Sequence, residues 1–163
     1  MPGPDRPLEG FGEQDGIELV QKTPLFRSLG FDETRRLFAI ATRERRRAGE
    51  VIVEANAMGQ ALYVVKHGRV RVLREGALVG KLGEGELFGE MSLVDDLFTS
   101  ARVEADSDVE LIVLPRRPFE LLVASDLILA VKVYRAFCRT LSDRLRRANA
   151  HLPAEERLAT GVR

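Results

Sequence analysis

From about Thr42 to Leu114, short apolar or alternating runs replace the helical period, and glycine interrupts them at short intervals. That pattern restricts the stretch to short strands joined by tight turns. The clearest segment is 61–73. Leu62-Tyr63-Val64-Val65 runs to a break at His67-Gly68, after which Val70 and Val72 alternate with Arg69 and Arg71. One face of such a strand is buried and the other solvated. His67-Gly68 and Glu75-Gly76 read as hairpin turns. Further strands are expected over 51–53, 79–82, 99–105 and 109–114. In Ala101-Val103-Ala105 the intervening Arg102 and Glu104 are expected to face solvent. The densest charge, Arg43 to Arg47, reads as an edge strand protected from aggregation by its charges. A docking patch for an acidic partner is the alternative.

Helical periodicity flanks the strands. Ile17, Leu19 and Val20 open a short helix that stops near Thr23-Pro24, and Leu25 and Phe26 follow as an apolar plug. Asp32 is expected to cap a helix through Ala41, with Leu37, Phe38 and Ile40 inward. Pro118 suits the first turn of a helix through Ala124. Ser125-Asp126 caps a longer one reaching Ala150. Residues 1–15, rich in Pro and Gly, and 151–163, without an apolar period, are expected to be flexible tails. The domain is therefore 16–150. Its predicted class is mainly β with flanking helices: an eight-stranded jelly roll or β-roll with N-terminal helices and a long C-terminal helix, 126–150.

Composition removes several functions. Lys plus Arg and Asp plus Glu both number 25, so net charge favours neither nucleic acid nor an anionic membrane. The one cysteine, Cys138, excludes an internal disulfide and a cysteine cluster. His67 and His151 are too far apart in sequence to suggest a metal site. No nucleophile–base pair stands out, so an enzyme is not expected. Neither a leader nor a membrane span is legible, which gives a cytoplasmic expectation.

Two stretches carry candidate function. In 88–105, Gly89 and Glu90 follow an aromatic strand end and precede a short helical turn, a recipe for presenting backbone N–H groups to an anion. On the long helix, Val131, Tyr134, Cys138, Leu141, Leu145 and Ala148 lie three and four apart, an a/d seam. Val133 and Phe137 form a second stripe. One stripe is expected on the barrel and the other on a second copy, giving a C2 homodimer; both stripes packing within one chain is the alternative. Cys138 is expected to be a small seam residue. Arg144, Arg146 and Arg147 read as a solvated face, diluted by Asp143, Glu155 and Glu156.

The order of elements over about 17–150 resembles the cyclic nucleotide-binding domain of bacterial catabolite-activator-type proteins. Phe88-Gly89-Glu90, Ala101-x-Val103-x-Ala105 and glycines 49, 59, 68, 85 and 89 carry the resemblance. It implies that Glu90 accepts a ribose 2′-hydroxyl, that backbone N–H groups of Met91, Ser92 and Leu93 hold the cyclic phosphate, and that Ser100 assists. It also implies an arginine where this chain has Thr99, with Arg102 directed out of the barrel and unable to replace it. In relatives that regulate transcription a DNA-reading module follows the long helix, and none is legible before Arg163.

Those features predict a non-enzymatic regulatory or scaffold module, degenerate toward cyclic AMP and cyclic GMP. It is expected to act through contacts with one or more unidentified proteins, without DNA or membrane. The alternative is a small-molecule sensor for a cyclic nucleotide, held as a weak ligand, or for a cyclic dinucleotide, signalling through its C-terminal helix.

Overall fold

The computed structural model describes residues 19, 22–94 and 98–150. The expected tails at 1–15 and 151–163 lie outside the described residues, as do Ile17 and Val20 of the first helix.

Two four-stranded antiparallel sheets form the roll. One has the order β1 (Thr42–Arg46), β8 (Val109–Pro115), β3 (Ala61–His67), β6 (Leu87–Phe88); the other has β2 (Val51–Val53), β7 (Arg102–Ala105), β4 (Val70–Arg74), β5 (Ala77–Leu82). The eight-stranded roll with a helix before it and two after it is as the sequence predicts, but Pro24–Arg27, expected as a plug after a helix stop, is itself a helical turn that begins at the proline. Period two explains how the first sheet serves two cores. Leu62, Val64, Ile112 and Leu114 face the helices, whereas Ala61, Val65, Leu111 and Val113 fill the space between the sheets with Val70, Val103 and Ala105.

The β4–β5 hairpin is as expected. Arg74 pairs with Ala77 across Glu75 and Gly76, both at positive φ (52° and 81°), as a tight two-residue turn requires. His67-Gly68 is not a hairpin, because β3 and β4 belong to different sheets. The chain there turns a corner of the roll. Gly68 has φ +85°, and a Cβ on it would stand 2.3 Å from the Asp108 carbonyl oxygen.

The charged run is an edge strand, β1. Its charges are anchored on Glu110, which meets Arg43 at 3.2 Å, Arg45 at 3.1 Å and Lys66 at 2.8 Å. Burial raises the pKa of Glu110, but these cations outweigh it and hold the carboxyl below its usual range. Arg102 and Glu104 correct the simple alternation expected for β7. Glu104 is buried on the outer face, gripped by Arg71 (2.7 Å) and Arg102 (2.7 Å).

Helices close the first sheet. α1 (Pro24–Arg27) buries Leu25 and Phe26, and Phe26 stacks on Phe38 of α2 (Phe31–Ile40). Asp32 is not the cap of α2. The helix starts one residue before it, after Gly30, whose N–H donates to Glu33 at 2.6 Å. Glu33 closes the turn from inside the helix, and Lys132 of the long C-terminal helix holds the same carboxylate at 2.7 Å. α4 (Arg116–Ser125) leads into α5 (Leu127–Ala150). Asp126 caps α5 as expected, accepting from the Leu129 N–H at 2.9 Å, and it also binds Arg36 at 2.7 Å. Leu129, Val133, Ala136 and Phe137 are the face that α5 buries.

Gly68→Ala should therefore lower stability by about 2–3 kcal/mol, combining backbone strain and a clash with a carbonyl. Urea unfolding of the variant and the parent protein measures it; a loss below about 0.5 kcal/mol would contradict this account of the corner.

Candidate functional site

A cavity of about 450 Å³ opens between the second sheet, residues 88–92, the loop at 99–101 and the C-terminal half of α5. It falls in the usual size range of small-molecule sites. Its walls are largely apolar, with Val53, Val72, Leu82, Phe88 and Val103 among them. Phe88 is fixed by stacking on Tyr63 at 4.8 Å, nearly parallel.

Gly89 gives the site its shape. It has φ +88°, and a Cβ there would sit 2.5 Å from the Ala61 carbonyl oxygen. The close approach turns the chain from β6 directly into α3 (Glu90–Val94). Gly59 admits α3 from the other side: a Cβ on it would lie 1.9 Å from Ser92 Oγ. Arg116 of α4 donates to the carbonyls of Gly59 (3.3 Å) and Ser92 (3.1 Å), tying the end of α3 to the helices.

Glu90 is 1% exposed and lines the cavity. Its Oε1 accepts from Arg144 Nη1 at 2.5 Å, while Arg144 Nη2 donates to the Leu87 carbonyl. Burial raises the Glu90 pKa, and the Arg144 charge draws it back only in part. Arg144 corrects the reading of residues 144–147 as a purely solvated face. Arg147, mostly exposed, also lines the cavity and meets Glu86 at 3.7 Å. Arg146 does remain at the surface beside Asp143. The signal that could have found Arg144 is its place on the helix. It lies seven residues after Phe137 and so near the buried stripe.

Thr99 is buried at the cavity wall, and its hydroxyl serves the backbone. It donates to the Glu54 carbonyl at 2.5 Å and accepts from the Ala57 N–H at 3.0 Å. Arg102 stays outside, bonded to Glu54 and Glu104. Met91, Ser92 and Ser100 line the cavity with Gly89, whereas the Leu93 side chain packs into the helix-side core.

Of the seam residues, Val131, Tyr134 and Leu145 are exposed at 50%, 39% and 61%. Cys138 is exposed too, Leu141 is half-buried, and Ala148 lines the cavity mouth. The second stripe, Val133 and Phe137, is the one packed on the domain. Among the described residues no group of three or more His, Cys, Asp and Glu could hold a metal, and no helix is long and apolar enough to cross a membrane.

Comparison with known proteins agrees with this fold. The family model of the cyclic nucleotide-binding domain matches residues 43–126. A cGMP-dependent protein kinase of Caenorhabditis elegans is 33% identical over 105 residues, 64% of this chain and 14% of the kinase. The cyclic AMP receptor protein of Thermus thermophilus is 36% identical over 109 residues, 64% of this chain and 50% of that protein. The chain thus spans half or less of these curated relatives. A crystal structure of a cyclic nucleotide-binding domain from Methylobacillus flagellatus superposes with TM-score 0.75 at 25% identity, covering 85% of this chain and 81% of that one.

Glu90 gives a pH signature. A carboxyl whose folded pKa is raised binds more protons folded than unfolded, so its contribution to stability declines as pH rises above the usual value of 4.5. The Tm of Glu90→Gln relative to the parent protein should therefore rise between pH 4.5 and 7. A difference that is flat or falls over that window would mean Glu90 is not the strained carboxyl described here.

Proposed function

The chain belongs to the cyclic nucleotide-binding domain family, and from that membership we propose a non-enzymatic regulatory module that grips cyclic AMP and cyclic GMP weakly and acts through protein contacts of α5. Thr99 carries this reading. Family resemblance puts a phosphate-binding arginine at that position; here the side chain is uncharged, buried and engaged with the 54–57 backbone. A charge-assisted hydrogen bond contributes about 1.5–3 kcal/mol, and a forked arginine–phosphate pair lies at the strong end. Its loss lowers affinity roughly tenfold to a few hundredfold. The ribose-facing carboxylate, by this reading Glu90, is retained, and so is an open cavity. These features favour a weak small-molecule response over a purely inert scaffold.

The output surface is the exposed stripe of α5, and its proposed occupant is a second copy of the chain. Leu127 and Ile128, 78% and 67% exposed, extend the stripe of Val131, Tyr134, Cys138 and Leu145 toward the helix start. The a/d spacing of that stripe is what a paired helix requires.

Isothermal titration with cyclic AMP and cyclic GMP should give dissociation constants weaker than micromolar; micromolar or tighter binding of either would sink the weak-grip reading. Thr99→Arg should raise cyclic AMP affinity by about tenfold or more, the contribution of one charge-assisted bond. For the helix, light scattering after gel filtration at tens of micromolar should report a dimer. Mild oxidation should then link the two copies through Cys138, which a parallel two-fold pair brings face to face. A monomer would remove the second copy from the proposal.

A further inference from the structure

We propose that the cavity takes an uncharged ribonucleoside in preference to any nucleotide. This rests on the reading above that Glu90 faces the ribose, and it specifies the ligand class of that site.

The charge balance at the cavity carries the inference. Among the described residues Lys81, Arg144 and Arg147 line it against Glu86 and Glu90; Arg144 meets Glu90 at 2.5 Å and Arg147 meets Glu86 at 3.7 Å, while Lys81 meets Asp106, outside the lining and shared with Arg69, at 3.0 Å. The Lys81 and Arg147 side chains are half or more exposed, at the watered rim, where pairing is weak and screened. Among the described residues the pair at depth is Glu90 with Arg144. A phosphate brought beside it leaves water without meeting net positive charge. Drawing Arg144 onto the phosphate strands Glu90 as an unpaired buried carboxylate, an unfavourable exchange. Thr99 adds no cation, its hydroxyl already serving the 54–57 loop.

An uncharged ribose suits the same pair. A hydroxyl donates to the Glu90 carboxylate while its oxygen accepts from a guanidinium N–H. The apolar side chains of Val53, Val72, Leu82, Phe88 and Val103 provide surface for a base. A cavity of about 450 Å³ accommodates a ligand of this size without a phosphate to complete it.

The test is isothermal titration of the full chain with adenosine, guanosine, cytidine and uridine, each beside its 3′,5′-cyclic monophosphate and its 2′-deoxy counterpart. At least one ribonucleoside is expected to bind ten times more tightly than its cyclic monophosphate and to lose tenfold or more when the 2′-hydroxyl is removed. Ligand changes alone give this result, so no variant has to fold. Equal or tighter binding of the cyclic monophosphate overturns the inference, and at micromolar affinity overturns the weak-grip reading with it. No binding of any nucleoside at millimolar concentration overturns the inference and leaves that reading standing. A 2′-deoxynucleoside that binds as well as its ribose form also overturns it, because Glu90 would then not read the sugar.

Discussion

The ion pair between Glu90 and Arg144 couples the parts of this protein. A carboxylate 1% exposed is costly to hold by several kcal/mol unless a partner meets it. That partner comes from α5, 54 residues along the chain. The start of α3 and the C-terminal half of α5 therefore cannot be placed independently. The same helix carries the exposed apolar stripe.

The remaining contacts make that coupling mechanical. Arg116 holds the far end of α3 through the Ser92 carbonyl and continues into α4. The N-terminal half of α5 is fixed by its buried residues, by Asp126 on Arg36 and by Lys132 on Glu33. Its second half lacks a comparable buried face, since every residue of 142–150 apart from Arg144 and Asn149 is exposed. Cohesion is thus strong where the helix begins and rests largely on one arginine near its end.

Much of the fold was legible because burial in a sheet enforces a period of two, and because Glu75-Gly76 satisfies a local backbone rule. Gly89 was legible as the turn out of β6, and the structure supplies its cause, the Ala61 carbonyl 2.5 Å from where a Cβ would be. The readings that failed concern partners distant in sequence. His67-Gly68 looked like a hairpin because the next strand follows at once, yet β4 pairs with β5 and β7. Asp32 looked like a cap, but Glu33 is held from outside by Lys132. Glu104 looked solvent-facing by alternation, and two arginines on the outer face cover it.

By itself the sequence determined the class of fold, the position of the cavity's turn and the absence of an arginine at 99, because each follows from local pattern or residue identity. Only the tertiary structure decided which charges meet. The pairing of Arg144 with Glu90, the diversion of the Thr99 hydroxyl to Glu54 and Ala57, and the choice of stripe that α5 buries all depend on distances between segments remote in the chain. Electrostatic and hydrogen-bond energies are set by those distances and by burial, neither of which a linear pattern contains.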